Sequence, residues 1–365
     1  MGGCSTILPQ SAIMKVASFV SVATLALGAL AVDSSVDELN VGSKCTVPAK
    51  RKEWRQLNRK EKKAFVDALK CLQMPPKGGK ATSSIAPTGD TPNLPPYNSS
   101  ASYFDDFVYA HIDSNIKDHF TAIFLPWHRW YLHTFHETLK KECGYRGVMP
   151  YWNWSLDVAN ITASPVYDSD PEVGFGTFGT PLTDGAFKDS YRAYPTPHVI
   201  NRTYTAYPFR TDAFPFNFTQ RDLAAPDVLA PGNIDSIVNG SKGNFTDFAY
   251  KLDGVGAQGP HNAAHLMMRP GDVSNPYWSP NDPIFYLHHA NLDCIWARWQ
   301  NMNEENKKAF GGGLTQDLAN FDTYPVGAPP LAQKSTELPT VGLTPPVKVS
   351  EVFETTNHYL CYVCE

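Results

Sequence analysis

Residues 260–299 read PHNAAHLMMRPGDVSNPYWSPNDPIFYLHHANLDCIWARW, and the rest of the chain is best read outward from them. His261 and His265 stand four residues apart. Residues at that spacing share one face of an α-helix, so both imidazoles can aim at one point. A second helix is predicted to open at Asp282, a good N-cap, with Pro283 suited to the first helical position. Ile284, Phe285, Leu287, Leu292, Ile295, Trp296 and Trp299 continue it with helical period. It carries His288 and His289, whose side chains point about 100° apart, so one ligates beside His261 and His265 while the other packs or hydrogen-bonds. His289 is the expected ligand. Asp293 lies four residues further on the same face, placed to hold an imidazole or to fix the helix orientation.

A second set, His111, His119 and His128, runs into FLPWHRWYLHTF at residues 124–135. His119 and His128 would lie about half a turn out of phase on one helix, and Pro126 disfavours a continuous one. The expectation is a helix carrying His119, a turn at Ile123 to Leu125, and a new helix from Pro126. His111 and His119 are about 12 Å apart along a regular helix, so the chain between them must bend or unwind to share an ion. The same rise removes His136 from the set. His133, His136, His198, His288 and His358 are read as structural. Two facing three-histidine metal sites result. Six neutral imidazoles with no carboxylate among them suit copper in both of its oxidation states.

These segments resemble the copper-binding domain shared by tyrosinases, catechol oxidases and hemocyanins, and more narrowly the short secreted polyphenol oxidases of filamentous fungi. The resemblance rests on His119 to His128 with FLPWHRW, PYWNW at Pro150 to Trp154, HNAAH at His261 to His265, and DPIFYLHHANLD at Asp282 to Asp293. It covers residues 45–300, with 301–365 as a Pro-rich tail packed on that domain and no separate lid. The expected fold is mainly α: an antiparallel four-helix bundle holding a dinuclear copper site, surrounded by long loops and a few short strands. The resemblance implies His111, His119 and His128 on the first copper and His261, His265 and His289 on the second. It implies O₂ as co-substrate and a small phenolic substrate. In the family, o-diphenols become o-quinones, and tyrosinases hydroxylate monophenols first. A hemocyanin-like oxygen carrier shares the site, and oxidation of o-aminophenols or of a phenolic natural-product intermediate is an alternative. A dizinc hydrolase would fit H-x-x-x-H, but HNAAH lacks the Glu of the H-E-x-x-H helix.

The resemblance also implies roles around the metals. Asn262 follows the first ligand of the second copper, where an Asn paired with an upstream Glu orients a water that takes the phenol proton. Asp253, in LDG, is the candidate for that acid; Gln258 is closer in sequence but neutral. If Asp253 cannot reach, diphenol oxidation should dominate. Leu266 is expected to line the entrance, and Pro276 stands where some relatives place a bulky gate residue, which implies an open pocket. Three departures stand out. His136 replaces a usual Glu, Cys294 replaces a usual basic residue, and Lys117 stands where many relatives cross-link a cysteine to the second histidine. The thioether is expected to be absent.

The chain has 365 residues, a formal net charge of −5 and 42% hydrophobic content. No basic cluster is built for stacked bases, so nucleic acid is not an expected partner. Arg51, Lys52, Arg55, Arg59, Lys60, Lys62 and Lys63 read as the solvated face of an amphipathic helix. Residues 1–31 are expected to contain a signal peptide, with Met14 a candidate start, an apolar run from Val16 to Ala31, and Ala29-Leu30-Ala31 as the cleavage site. The mature chain would then be secreted, with no membrane association after cleavage. Six cysteines remain after the signal, which suggests disulfides. Cys71 is expected to pair with Cys143, and Cys45 with Cys361 or Cys364. Seven N-glycosylation sequons fit the secretory route, at Asn98, Asn153, Asn160, Asn201, Asn217, Asn239 and Asn244. Residues 74–100 read as a loop and 155–230 as long ordered loops with short strands. No domain able to plug the pocket is expected after Trp299, so proteolytic activation should not be needed.

Overall fold

The computed structural model describes residues 45–74, 85–97, 101–209, 218–254 and 256–365. The signal segment, Cys4, and the sequons at Asn98 and Asn217 lie outside them. In chain order the helices are α1 (Arg59–Leu72), α2 (Tyr103–Asp113), α3 (Asn115–Asp118), α4 (Phe124–Cys143), α5 (Ala225–Leu229) and α6 (Pro231–Gly240). They continue with α7 (Phe245–Asp253), α8 (Pro260–Leu266), α9 (Ile284–Gln300), α10 (Glu304–Lys308) and α11 (Val349–Val352). The fold is mainly α, and the strands are short and paired two by two.

Local sequence explains where the helices begin. Asn58 with Glu61 and Ser102 with Asp105 form reciprocal capping boxes that satisfy the free N–H groups of α1 and α2. Pro126 stands in the first turn of α4, where its missing N–H has no intrahelical acceptor to lose. The helix therefore starts at Phe124, earlier than expected. His119 is not helical: it ends α3 in an extended conformation (φ −122°, ψ 140°). The bend expected between His111 and His119 is present, and α3 is the short turn that makes it. Asp282 Oδ1 accepts from the Ile284 N–H at 3.1 Å, but α9 begins at Ile284 with Pro283 in the N-cap position, one residue later than expected.

Aromatic packing aligns the helices. Phe107 of α2 meets Tyr131 and Phe135 of α4 edge-on, and Phe135 stacks on Tyr286 of α9 with centroids 3.6 Å apart. Arg129 in α4 reaches Asp293 and Gln300 in α9. Rising numbers in α4 thus meet falling numbers in α9, and likewise in α2, where His128 meets His111 and Phe135 meets Phe104, so neighbours run antiparallel. Gly254 (φ +79°) closes α7 so near Gly259 that a Cβ there would lie 1.9 Å from the Gly259 nitrogen. This tight turn carries the end of α7 directly to the start of α8.

The C-terminal segment packs on this frame. Strand β1 (Ala49–Arg51) pairs in parallel with β8 (Tyr362–Cys364). The disulfides are Cys71–Cys143, as expected, Cys45–Cys361, one of the two alternatives, and Cys294–Cys364, which was not anticipated. Arg51 departs from the expected solvated run. It is buried, its Nη1 2.6 Å from Asp293, beneath the Tyr362 ring. The exposed part of the run, Arg59 and Lys60, does lie on the outer face of α1, whose Phe65, Val66, Leu69 and Leu72 are buried.

Candidate metal centre

Two clusters of buried histidines meet in the bundle. His111, His119 and His128 form one; His261, His265, His288 and His289 form the other. Within each, one ligand atom per residue lies within 4.8 Å of the rest. The clusters face each other: His128 stacks on His289 with centroids 4.3 Å apart, and His119 lies nearly parallel to His261 at 6.3 Å.

The ring nitrogens show which atoms are left for a metal. His111 Nδ1 donates to the Tyr277 carbonyl at 2.7 Å, His128 Nδ1 to the Phe124 carbonyl at 2.9 Å, and His265 Nδ1 to the Val273 carbonyl at 2.6 Å. His119 Nδ1 donates to the Asn115 carbonyl at 3.2 Å, and His261 Nδ1 to Asp253 Oδ1 at 2.9 Å. A carbonyl or carboxylate accepts only, so each of these five imidazoles keeps its proton on Nδ1 and its lone pair on Nε2. The Nε2 atoms of His111, His128 and His261 are buried with no partner. Burial pushes the pKa of His111, His128, His261, His265 and His289 well below its ordinary value, which keeps these rings neutral. Buried, neutral, tied-back imidazoles with orphaned nitrogens fit a metal better than a dry polar core, which would leave them unpaired.

The paired histidines of α9 differ. Trp154 Nε1–H donates to His288 Nδ1 at 3.1 Å. An indole N–H cannot accept, so neutral His288 carries its proton on Nε2 and presents a donor there. His289 Nε2 lies 3.1 Å from His265 Nε2, a spacing two ligands of one ion can share. Both residues are in the cluster, and the hydrogen bond to Trp154 distinguishes them.

Two carboxylates stand behind the ligands, one in each cluster. Asp118 Oδ1 is 2.6 Å from His119 Nδ1. Burial disfavours the charged form of His119, but Asp118 outweighs it and the pKa is raised. Asp253 has one oxygen on His261 Nδ1 and the other on the Phe120 N–H. Burial pushes its carboxyl up to about 7, against the opposing charge of His119 and the Phe120 N–H. Asn262 Nδ2 donates to the Asp253 backbone carbonyl at 3.0 Å, not to its carboxylate. Gln258 is turned toward Thr219 and Gln220. Asp293, for which two roles were open, holds no imidazole. It receives Arg129 Nε at 2.5 Å, Arg51 and the Tyr362 hydroxyl, and so ties α9 to α4 and β8.

A cavity open to solvent reaches the centre. His119, His261 and His265 form its floor, with Asn262, Leu266 and Pro276 in its wall. Sequence reasoning did not single out Asn115, whose amide donates to the Pro276 carbonyl at 2.7 Å while its backbone carbonyl accepts from His119 Nδ1 at 3.2 Å. It also missed the backbone carbonyls of Val273 and Tyr277. A carbonyl leaves no residue-type signal, and only its place in the fold reveals it.

Comparison with known proteins agrees with this geometry. Residues 101–302 match the family described as the common central domain of tyrosinase. A tyrosinase-like protein of Diaporthe leptostromiformis is 30% identical over 341 residues, covering 89% of this chain and 82% of that protein. An N-acetyl-6-hydroxytryptophan oxidase of Emericella nidulans is 30% identical over 353 residues, covering 86% and 91%. A polyphenol oxidase variant from Thermothelomyces thermophila has a similar fold, with a TM-score of 0.68 at 23% identity over 88% of this chain and 90% of that one.

Proposed function

This chain belongs to the tyrosinase family, and from that premise we propose that it oxidises small o-diphenols to o-quinones with O₂ at a dinuclear copper site. The observation that carries the proposal is the pair of buried imidazole clusters opening into a single cavity. His111, His119 and His128 would hold one copper and His261, His265 and His289 the other. When bound, the two ions supply the two-electron exchange between O₂ and the diphenol.

The chain's own residues prepare the site. Backbone carbonyls and Asp253 fix the ligand tautomers and ring planes, so lone pairs converge before any ion arrives. Phe285 lies against His289 and edge-on to His111, closing the interior to water on the side away from the cavity. Leu266 gives the wall an apolar surface for an aromatic ring, and Pro276 stands in the same wall. Monophenol hydroxylation would need Asn262 and an acid to share a base-activating water. Asp253 is engaged with His261 and Phe120, the Asn262 amide donates to the Asp253 backbone carbonyl and not to its carboxylate, and Gln258 is held by Gln220, so no acid is paired with the Asn262 amide. Diphenol oxidation is therefore the favoured activity.

A second reading has its own support. The Emericella nidulans relative is by name an oxidase of an aromatic amino-acid derivative, so a phenolic natural-product intermediate is the alternative substrate class. We also propose that the chain is secreted. Three disulfides suit an oxidising compartment, and no described helix is long and apolar enough to cross a membrane.

The test is oxygen uptake by the copper-loaded protein with a monophenol and the matching o-diphenol. Uptake with the diphenol alone is expected. Prompt uptake with both would show that Asp253 or a substitute serves as the base. Uptake with neither, at full copper loading, would overturn the proposal.

A further inference from the structure

One loop serves both metal clusters. Between Gly271 and Ser279 the backbone gives its Val273 carbonyl to His265 Nδ1 and its Tyr277 carbonyl to His111 Nδ1. The Pro276 carbonyl takes Asn115, which also touches His119. The side chains of Val273, Ser274, Asn275 and Pro276 wall the cavity. Any shift of this loop moves a ligand of each cluster and the substrate wall together.

The loop is anchored at its start by Asp272. Its N–H donates to the Asn201 carbonyl at 2.9 Å, and its Oδ2 accepts from the Asn201 N–H at 2.8 Å. Its Oδ1 is 2.7 Å from His198 Nε2. The other nitrogen, His198 Nδ1, is 2.7 Å from the Thr196 carbonyl. Both partners accept only, so filling both contacts requires a proton on each ring nitrogen, which makes His198 an imidazolium. Two charged groups face it: Asp272 from the loop, and buried Arg192 from the neighbouring strand Tyr191–Arg192.

We propose that His198 is a positioning residue of this centre: acting through Asp272, it sets the loop whose carbonyls orient one imidazole of each cluster and whose side chains wall the substrate cavity. This rests on the reading of the six histidines as metal ligands. Burial disfavours the charged His198 ring, but the hydrogen bond and charge of Asp272 outweigh it and the Thr196 carbonyl adds to them, against Arg192; the pKa is raised above 6.5. A group raised in the folded state contributes fully below its unfolded pKa and is lost as pH rises through the folded one. The clamp is therefore closed in mild acid and opens on the alkaline side.

The test compares wild type, His198→Gln and Asp272→Asn, each copper-loaded, from about pH 6 to about pH 9. Two quantities are read: the rate of copper loss to a chelator, and KM and kcat for 4-tert-butylcatechol. In wild type, copper loss and KM should both rise as His198 loses its proton. In His198→Gln both should be higher by about tenfold at the acid end, the lower end of what outer partners of ligating histidines contribute, and flat with pH. kcat should change far less than KM. Asp272→Asn should match His198→Gln. Wild-type pH profiles in both variants would overturn the proposal, as would a lowered melting temperature with unchanged KM and copper loss. The chelator arm needs no turnover, so an enzyme inactive on the catechol would count against the proposed function while the loop is still judged.

Discussion

In the second cluster two ligands come from adjacent turns of one helix, α8, and the third from α9. In the first cluster every ligand has its own segment: His111 from α2, His119 from the extended residue after α3, and His128 from α4. The first cluster thus depends on tertiary structure for its assembly, whereas two of the three ligands of the second are placed by helical geometry alone. The supports differ in the opposite sense. His128 and His119 bond carbonyls four residues back in their own segments, while the ligands of α8 lean on Asp253 from α7 and Val273 from the cavity loop. The two carboxylate-backed ligands, His119 and His261, are both at the cavity floor. A carboxylate behind an imidazole makes it a better donor to a metal, so two of the three ligands that line the cavity are strengthened in this way, and His265, held by a backbone carbonyl, is the third.

The largest effect that can break this comparison lies in the second cluster. His289→Ala should lose the second copper and nearly all oxygen uptake, while His288→Ala should keep most of its copper, measured as copper per chain. Equal loss in both would contradict the tautomer that Trp154 imposes on His288. Next comes Asp253→Asn, which keeps the shape but removes the charge behind His261. It should weaken the second copper by about 10- to 100-fold in chelator competition, with the first copper little changed. Equal weakening of both would mean that the clusters are not separately supported.

How far these features were legible follows from the same contrast. The four-apart spacing of His261 and His265 and the aromatic period of α9 are local signals that appear in the structure, and the start of α9 falls within a residue or two of the Asp282-Pro283 signal. His119 was expected inside a helix because no residue type there marks the break; Phe120, at φ +55°, follows it with backbone that sequence rules assign to glycine. Arg51 was read as solvated because it opens a basic run, and only the fold reveals Asp293 as its partner across 242 residues. Asp253 was found through its place before α8, yet its partner is a ligand's Nδ1, not the Asn262 side chain. Cys294 gave no local sign of a bond to Cys364.

Two smaller effects sharpen the comparison by testing the frame shared by both clusters. Asp293→Ala leaves Arg129 and Arg51 buried without their carboxylate, and should cost about 3–5 kcal/mol in denaturant unfolding. A cost below about 1 kcal/mol, the level of an exposed pair, would remove Asp293 from the scaffold. The Cys294→Ser/Cys364→Ser double variant should lose about 2–4 kcal/mol and keep both coppers, because β8 is still paired to β1. Copper loss in that variant would mean that the tail holds α9, and with it His289, in place.

The most direct measurement is metal analysis of the purified wild-type chain after anaerobic loading with copper, followed by the same analysis of His289→Ala and His128→Ala. The account predicts two coppers per chain in the wild type and one in each variant, the survivor lying in the untouched cluster. One copper or none in the wild type, or two ions retained after removal of either histidine, would contradict a centre built from two sets of three.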